Sequence, residues 1–139
     1  MDFRFYALMA ALAAAFTAIL SKLGVEGVGA NLATAIRTSV VLLFAWGIVV
    51  ARGEHAALSQ IGARSWVFLI LSGFATAASW LAYFKALTLA EASRVAPLDK
   101  LSLAFTIVLS ALVLKEQVSL RLALGTALMV GGALVTLKG

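Results

Sequence analysis

Cysteine is absent from the 139 residues, and proline and histidine occur once each, as Pro97 and His55. No disulfide, thiol chemistry or thiolate metal site is open to such a chain, and cysteine usage leaves the redox compartment undefined. His55 sits in the polar stretch RGEHAALSQIGAR with no second ligand near it, so no metal centre is expected. No serine or acid is arranged with a base as a catalytic set. Gly27 and Gly29 lack the strand and helix of a nucleotide-binding loop. Neither an enzyme nor a cofactor is expected. Charge is scarce as well: 12% of residues are charged, against about 25% in ordinary soluble domains.

Apolar residues take the place of what is missing. They make up 63% of the chain, and the mean hydropathy is +1.07. So short and apolar a chain has too few polar residues to cover a soluble surface, so an integral membrane protein is expected. The net charge of +5 does not point to nucleic acid. The lysines and arginines are scattered singly between apolar runs and form no basic stripe. They stand largely where membrane spans are expected to end.

Five apolar segments have the length of a bilayer-crossing helix, about 20 residues: 5–23, 31–51, 65–89, 93–114 and 120–137. Together they predict one all-α membrane domain over residues 1–139. Strands are excluded because the apolar runs are continuous, not alternating. The first segment is long and followed by others like it, so it reads as a retained span, not a cleaved leader. GVEGVGAN and AEASR supply short turns, and Ser119 at the end of KEQVS is a plausible N-cap for the last span. The longest connection, RGEHAALSQIGAR, leads to Trp66, an interfacial anchor. Arg4, Arg52, Arg64, Lys115 and Arg121 fall on the side of the N-terminus, and Lys22, Arg94 and Lys138 on the other. This weak bias favours a cytoplasmic N-terminus and an outer C-terminus, and it also permits insertion in both orientations.

Four ionisable residues lie inside spans: Arg37, Lys85, Asp99 and Lys100. A rise of about 1.5 Å per residue places Arg37 and Asp99 each about 9 Å from the same membrane face, and Lys85 about 6 Å. Charges at the bilayer centre cost about 2.5–3.5 kcal/mol each on insertion scales, and less toward the interface. Three helices that place charges at one level imply a shared polar interior. At about 100° per residue, Asp99, Ser102, Thr106 and Ser110 share a face of span four. Ser72, Thr76, Ser79 and Tyr83 share one on span three, and Thr34 lies beside Arg37 on span two. Such stripes describe the wall of a wet cavity, although hydroxyls also serve merely to join membrane helices. Lys85 points away from the stripe of its own helix, and Lys100 lies about 100° from Asp99; either has the alternative of snorkelling to the interface. Arg37 and Asp99 have the alternative of a structural ion pair. Pro97 is expected to kink the start of span four or to sit in its first turn. On the last span Gly125, Met129 and Gly132 form one small-residue face, suited to a contact between protomers or to packing within one.

The stretches LATAIRTSVVLLF, SWVFLILSGFATAASWLAYFKAL, ASRVAPLDKLSLAF and LKEQVSLRLALGTALMVGGALV resemble the EamA-type drug/metabolite transporter superfamily, and in particular its five-span bacterial and archaeal members. The resemblance covers nearly the whole chain. AIRT, the W..YF.AL pattern and VAPLDKLS are its specific parts. Lys115 departs from it, standing where the family often has glycine, as does Arg94 in a turn usually less charged.

The resemblance implies a five-helix half of a ten-span inverted-repeat transporter, in which the first four spans of each half surround a central cavity. A lone half would need a second copy, so a homodimer is expected, parallel or antiparallel, in the bacterial or archaeal cytoplasmic (inner) membrane. Small multidrug exporters related to this family use a glutamate in span one, and span one here has no acid. Arg37, Lys85, Asp99 and Lys100 together sum to +2 when charged, which favours small anionic or zwitterionic metabolites as substrates. The expected substrate-binding set is Arg37, Asp99, Lys100, Lys85, Tyr83, Thr34, Ser102 and Thr106. The expected partners are that small molecule, the lipid bilayer and the second copy, with no nucleic acid. The opposing readings are a non-transporting assembly or anchor subunit and a multidrug exporter of the small multidrug type.

Overall fold

A computed structural model of the chain describes residues 2–136. Leu137, the expected end of the last span, and Lys138 lie outside the described residues. Every regular element among the described residues is helical: α1 (Phe3–Val25), α2 (Ala30–Ala51), a 3₁₀ helix (Glu54–Gln60), α3 (Ala63–Leu89), α4 (Ala92–Asp99), α5 (Ser102–Leu109), a π-helical turn (Ser110–Leu114) and α6 (Leu120–Val135). Four stretches are long and apolar enough to cross a membrane: α1, α2, α3 and the combined Ala92–Leu114. The last helix, α6, is apolar but has 16 residues, about 24 Å at the helix rise. The arrangement is that of a five-helix membrane domain.

The local choices follow from the solvent. The α2 stretch ANLATAIRTSVVLLFAWGIVVA is rich in β-branched residues that favour strands in water. In hydrocarbon each backbone N–H and C=O must be paired within its own segment, and a helix does this where a lone strand does not. Large apolar side chains such as Leu8, Phe44, Phe74 and Leu128 are exposed. On a water-soluble protein they would be a liability; on a membrane helix they face lipid.

The chain forms two compact units, Met1–Ile19 with Ala90–Gly139, and Leu20–Leu89. In the second, burial concentrates at one end, where the last turns of α1, the start of α2 and the last turns of α3 meet. Ser21, Val25, Ala33, Thr34, Phe84 and Leu87 are buried there, Leu87 completely. Lys22 closes this end: its Nζ donates to the Leu87 carbonyl at 2.8 Å. The last carbonyls of a helix have no donor of their own, and a cation is favoured at that terminus. The expected long connection is not an open loop. Gly53, at φ +70°, ends α2, and the 3₁₀ helix follows it.

Span four is interrupted just beyond Pro97, where a kink or a first-turn proline is expected. Pro97 lies inside α4, not in its first turn. The chain then tightens: Lys100 and Leu101 donate to the Pro97 and Leu98 carbonyls, and Leu103 and Ala104 to those of Lys100 and Leu101, all at 3.0–3.1 Å. These are 3₁₀ bonds, and they divide α4 from α5. Pro97 has no N–H to offer the Ser93 carbonyl, so the ladder is already short of one bond where the 3₁₀ turns follow. At the far end the π turn closes on Lys115, whose backbone adopts φ +57°. The Lys115 and Glu116 amides both reach the Ser110 carbonyl, as in a glycine C-cap, but with a side chain present. Ser119 then caps α6 as expected, its Oγ accepting from the Leu122 amide at 3.2 Å.

Two stability effects follow. A left-handed backbone costs a non-glycine residue roughly 1–2 kcal/mol, partly offset by the greater unfolded-state entropy of glycine. Lys115→Gly should therefore stabilise the protein by about 0.5–1 kcal/mol, read as a rise of a few degrees in thermal unfolding in detergent. Lys115→Ala removes the same charge, keeps the Cβ and should show no such rise. Conversely, Lys22→Met removes a charged donor from a partly buried carbonyl and should cost about 1.5–3 kcal/mol, with Lys22→Arg losing less in the same melting experiment.

Candidate functional site

The polar residues expected to line a cavity divide between the two units. Thr34, Arg37, Tyr83 and Lys85 belong to Leu20–Leu89, and Asp99, Lys100, Ser102 and Thr106 to the other unit. Each group has its own geometry.

In the Leu20–Leu89 unit the centre is Arg37. It lies one helical turn beyond Thr34 on α2 and is half-buried. Its guanidinium carbon is 4.2 Å from the centroid of the Trp80 ring and 5.6 Å from that of Phe84. Trp80 and Phe84 are four residues apart on α3, so their rings stand one turn above the other on a single face. Phe84 is buried and Trp80 half-buried, so the platform is fixed at its deeper edge. Cation–π contacts contribute about 0.5–2 kcal/mol, most where water is excluded. No carboxylate of this unit ion-pairs with Arg37 among the described residues; Glu54, for instance, meets Arg52 at 3.8 Å on the surface. Tyr83 is half-buried beside Phe84, whereas Lys85 is exposed.

In the other unit, Asp99 and Lys100 pair with each other, Nζ to Oδ2 at 3.4 Å, with side chains 40% and 54% exposed. They stand at the helix break, between the end of α4 and the start of α5. In 3₁₀ geometry residues three apart eclipse, which favours alignment of Asp99 with Ser102. Irregular backbone at membrane depth is tolerated only where protein buries it or water lines it.

The threonines have committed their protons. Thr34 Oγ1 donates to the Ala30 carbonyl at 2.8 Å, Thr38 to Thr34 at 2.7 Å, Thr76 to Ser72 at 2.9 Å and Thr106 to Ser102 at 2.8 Å. Each is an i−4 bond within its own helix. What these hydroxyls still offer is lone pairs. Donors from other side chains, such as the cations and the serine and tyrosine hydroxyls, are not committed by these bonds.

Sequence reasoning overlooked Trp80 and Phe84 as the platform for Arg37, and treated Lys22 only as a loop charge. The signal for the first was present: two aromatics at i and i+4, near the end of α3 where Arg37 of α2 also lies. The second had none, because a carbonyl left over at a helix end has no trace in residue identity.

The EamA-like transporter family matches residues 4–138. A curated protein from Sinorhizobium sp, named "Uncharacterized transporter in cobO 3'region", is 47% identical over 134 residues, covering 96% of this chain and 95% of its own length. No solved structure matches significantly. With this match over nearly its whole length, the resemblance carried by AIRT, W..YF.AL and VAPLDKLS is established, and this multi-pass membrane protein belongs to the EamA-like transporter family.

Proposed function

We propose that the chain transports small metabolites bearing a carboxylate or similar compact anionic group, alone or in a zwitterion, across a bacterial or archaeal cytoplasmic membrane. The observation that carries this reading is Arg37: a guanidinium stacked on Trp80 at 4.2 Å, with no carboxylate of its own unit in ion-pair range among the described residues. A planar guanidinium with a free edge binds carboxylate in bidentate fashion. The threonines, with their protons committed, provide acceptors for the cationic or hydroxyl part of the same substrate. Asp99 and Lys100, at the helix break, form the second polar element, followed along α5 by Ser102 and Thr106.

The cavity is completed by a second copy. A Cβ at Gly125, Gly131 or Gly132 would meet nothing within 4 Å. The same holds for the glycines of other helices, and the case for contact between protomers through α6 rests on its small-residue face and its lack of charge beyond Arg121. An antiparallel pair fits the weak charge bias of the loops.

Flux in reconstituted vesicles, screened over charged and neutral metabolites, tests the reading. Arg37→Gln should insert and fold yet lose at least about tenfold in uptake of the anionic substrate, the order expected for a lost charged hydrogen bond. Arg37→Lys should recover only part of it. Adding Asp99→Asn to Arg37→Gln should not restore transport, as it would if the two residues were only a structural pair. A double variant that transports at the parent rate removes both from the mechanism, and a protein that moves no solute is an anchor or assembly subunit.

The dimer has its own test. Gly132→Leu should weaken association in detergent and in lipid while leaving insertion intact, and tags on either terminus should be accessible from both sides of the membrane. A fully dimeric Gly132→Leu places the contact elsewhere, and a single orientation excludes the antiparallel pair.

A further inference from the structure

We propose that Trp80 is a positioning residue for substrate recognition: its indole face fixes the plane of the Arg37 guanidinium so that the N–H edge stays available to the anion. This deepens the anion reading of Arg37 and rests on it.

Arginine at membrane depth normally has two outcomes. It snorkels toward the interface on its long flexible stem, or it pairs with an acid that consumes its donors. Stacking gives a third. A cation–π contact uses the face of the guanidinium and the quadrupole of the ring, and leaves the in-plane N–H groups unspent. Trp80 has the closer contact, 4.2 Å to its centroid, against 5.6 Å for Phe84. Phe84 is buried one turn deeper on α3 and supports the same face. Two other arginine stacks, Arg4 on Phe3 and Arg64 on Phe68, are looser at 5.8 Å and join neighbours on one helix. Only the Arg37 stack joins two helices, α2 and α3, among these contacts. It therefore fixes the guanidinium relative to a second helix and not merely along its own.

The experiment uses the full chain in detergent micelles, labelled with ¹⁵N-arginine and observed at the Nε–H groups. The Arg37 signal is identified by its absence in Arg37→Gln. Ring current from Trp80 should place it upfield of the Arg4 and Arg64 signals. Trp80→Met fills apolar space without a π face and should abolish that displacement, while Trp80→Phe should keep part of it. Acetate serves as the minimal carboxylate probe. It should perturb the Arg37 signal saturably in the parent, require about fivefold higher concentration in Trp80→Met, as expected for loss of a partly buried cation–π contact, and recover to within about twofold in Trp80→Phe by the same reasoning. An Arg37 signal with no upfield displacement overturns the stack. Equal acetate affinity in the parent and in a folded Trp80→Met overturns the positioning role alone and leaves Arg37 as the anion contact. No saturable response in the parent overturns the anion reading itself, and the positioning role with it. Should Trp80→Met not fold, the parent displacement and the acetate titration of Trp80→Phe against Trp80→Tyr and Trp80→His decide the same question, because a purely steric role predicts no ordering by ring quadrupole.

Discussion

A backbone amide or carbonyl left unpaired in hydrocarbon costs several kcal/mol, and the rest of this structure depends on that constraint. It turns β-branched runs such as VVLLFAWGIVV into helix. It brings threonine hydroxyls back onto the carbonyls of their own helices, as at Thr34, Thr38, Thr76 and Thr106. It makes the end of each helix a problem to be closed locally. Lys22 closes α3, Gly53 follows α2, and Ser119 opens α6. Lys115 closes the π turn although its side chain opposes the required backbone.

The same constraint gives meaning to the one place where a span is interrupted. At Pro97–Leu101 the ladder loses a donor and tightens into 3₁₀ bonds, and Asp99 and Lys100 stand at that point. The 3₁₀ bonds pair the backbone there again, so the break itself is tolerable in a membrane span. Two ionised side chains are costly in hydrocarbon, and it is the charge pair that points to a polar environment for this segment. Arg37 meets the problem differently. Its charge rests on two aromatic faces, so it is stabilised without surrendering its hydrogen-bond donors.

What was legible in the sequence follows from the strength of each signal. Apolar runs of about bilayer length are decisive, so four of the stretches are long and apolar enough to cross a membrane, whereas the last helix, Leu120–Val135, is shorter. The turn chemistry of KEQVS was readable because an N-cap serine has a short-range mechanism. The interruption of span four was only half legible. Proline announces a disturbance, but whether it bends a helix or ends one depends on how the freed carbonyl is satisfied, which residue identity does not state. At Lys115, where the resemblance implies glycine, the backbone is left-handed, a conformation glycine adopts without strain. The aromatic platform under Arg37 was missed because angular reasoning sought polar company for a charge. Trp80 and Phe84 entered only as part of the W..YF.AL pattern, although ring faces attract cations.

The distribution of donors and acceptors carries the chemistry one step further. A wall whose threonines had free protons would solvate anions and cations alike. At Thr34, Thr38, Thr76 and Thr106 those protons are spent within the helices, so these hydroxyls offer lone pairs. Under the proposed anion reading, an anionic group would meet Arg37, and a cationic, lipophilic solute would meet the stacked guanidinium with no acid in α1 to offset it. Discrimination between the two would then require no conformational difference, because it would follow from a charge held in place by aromatic faces.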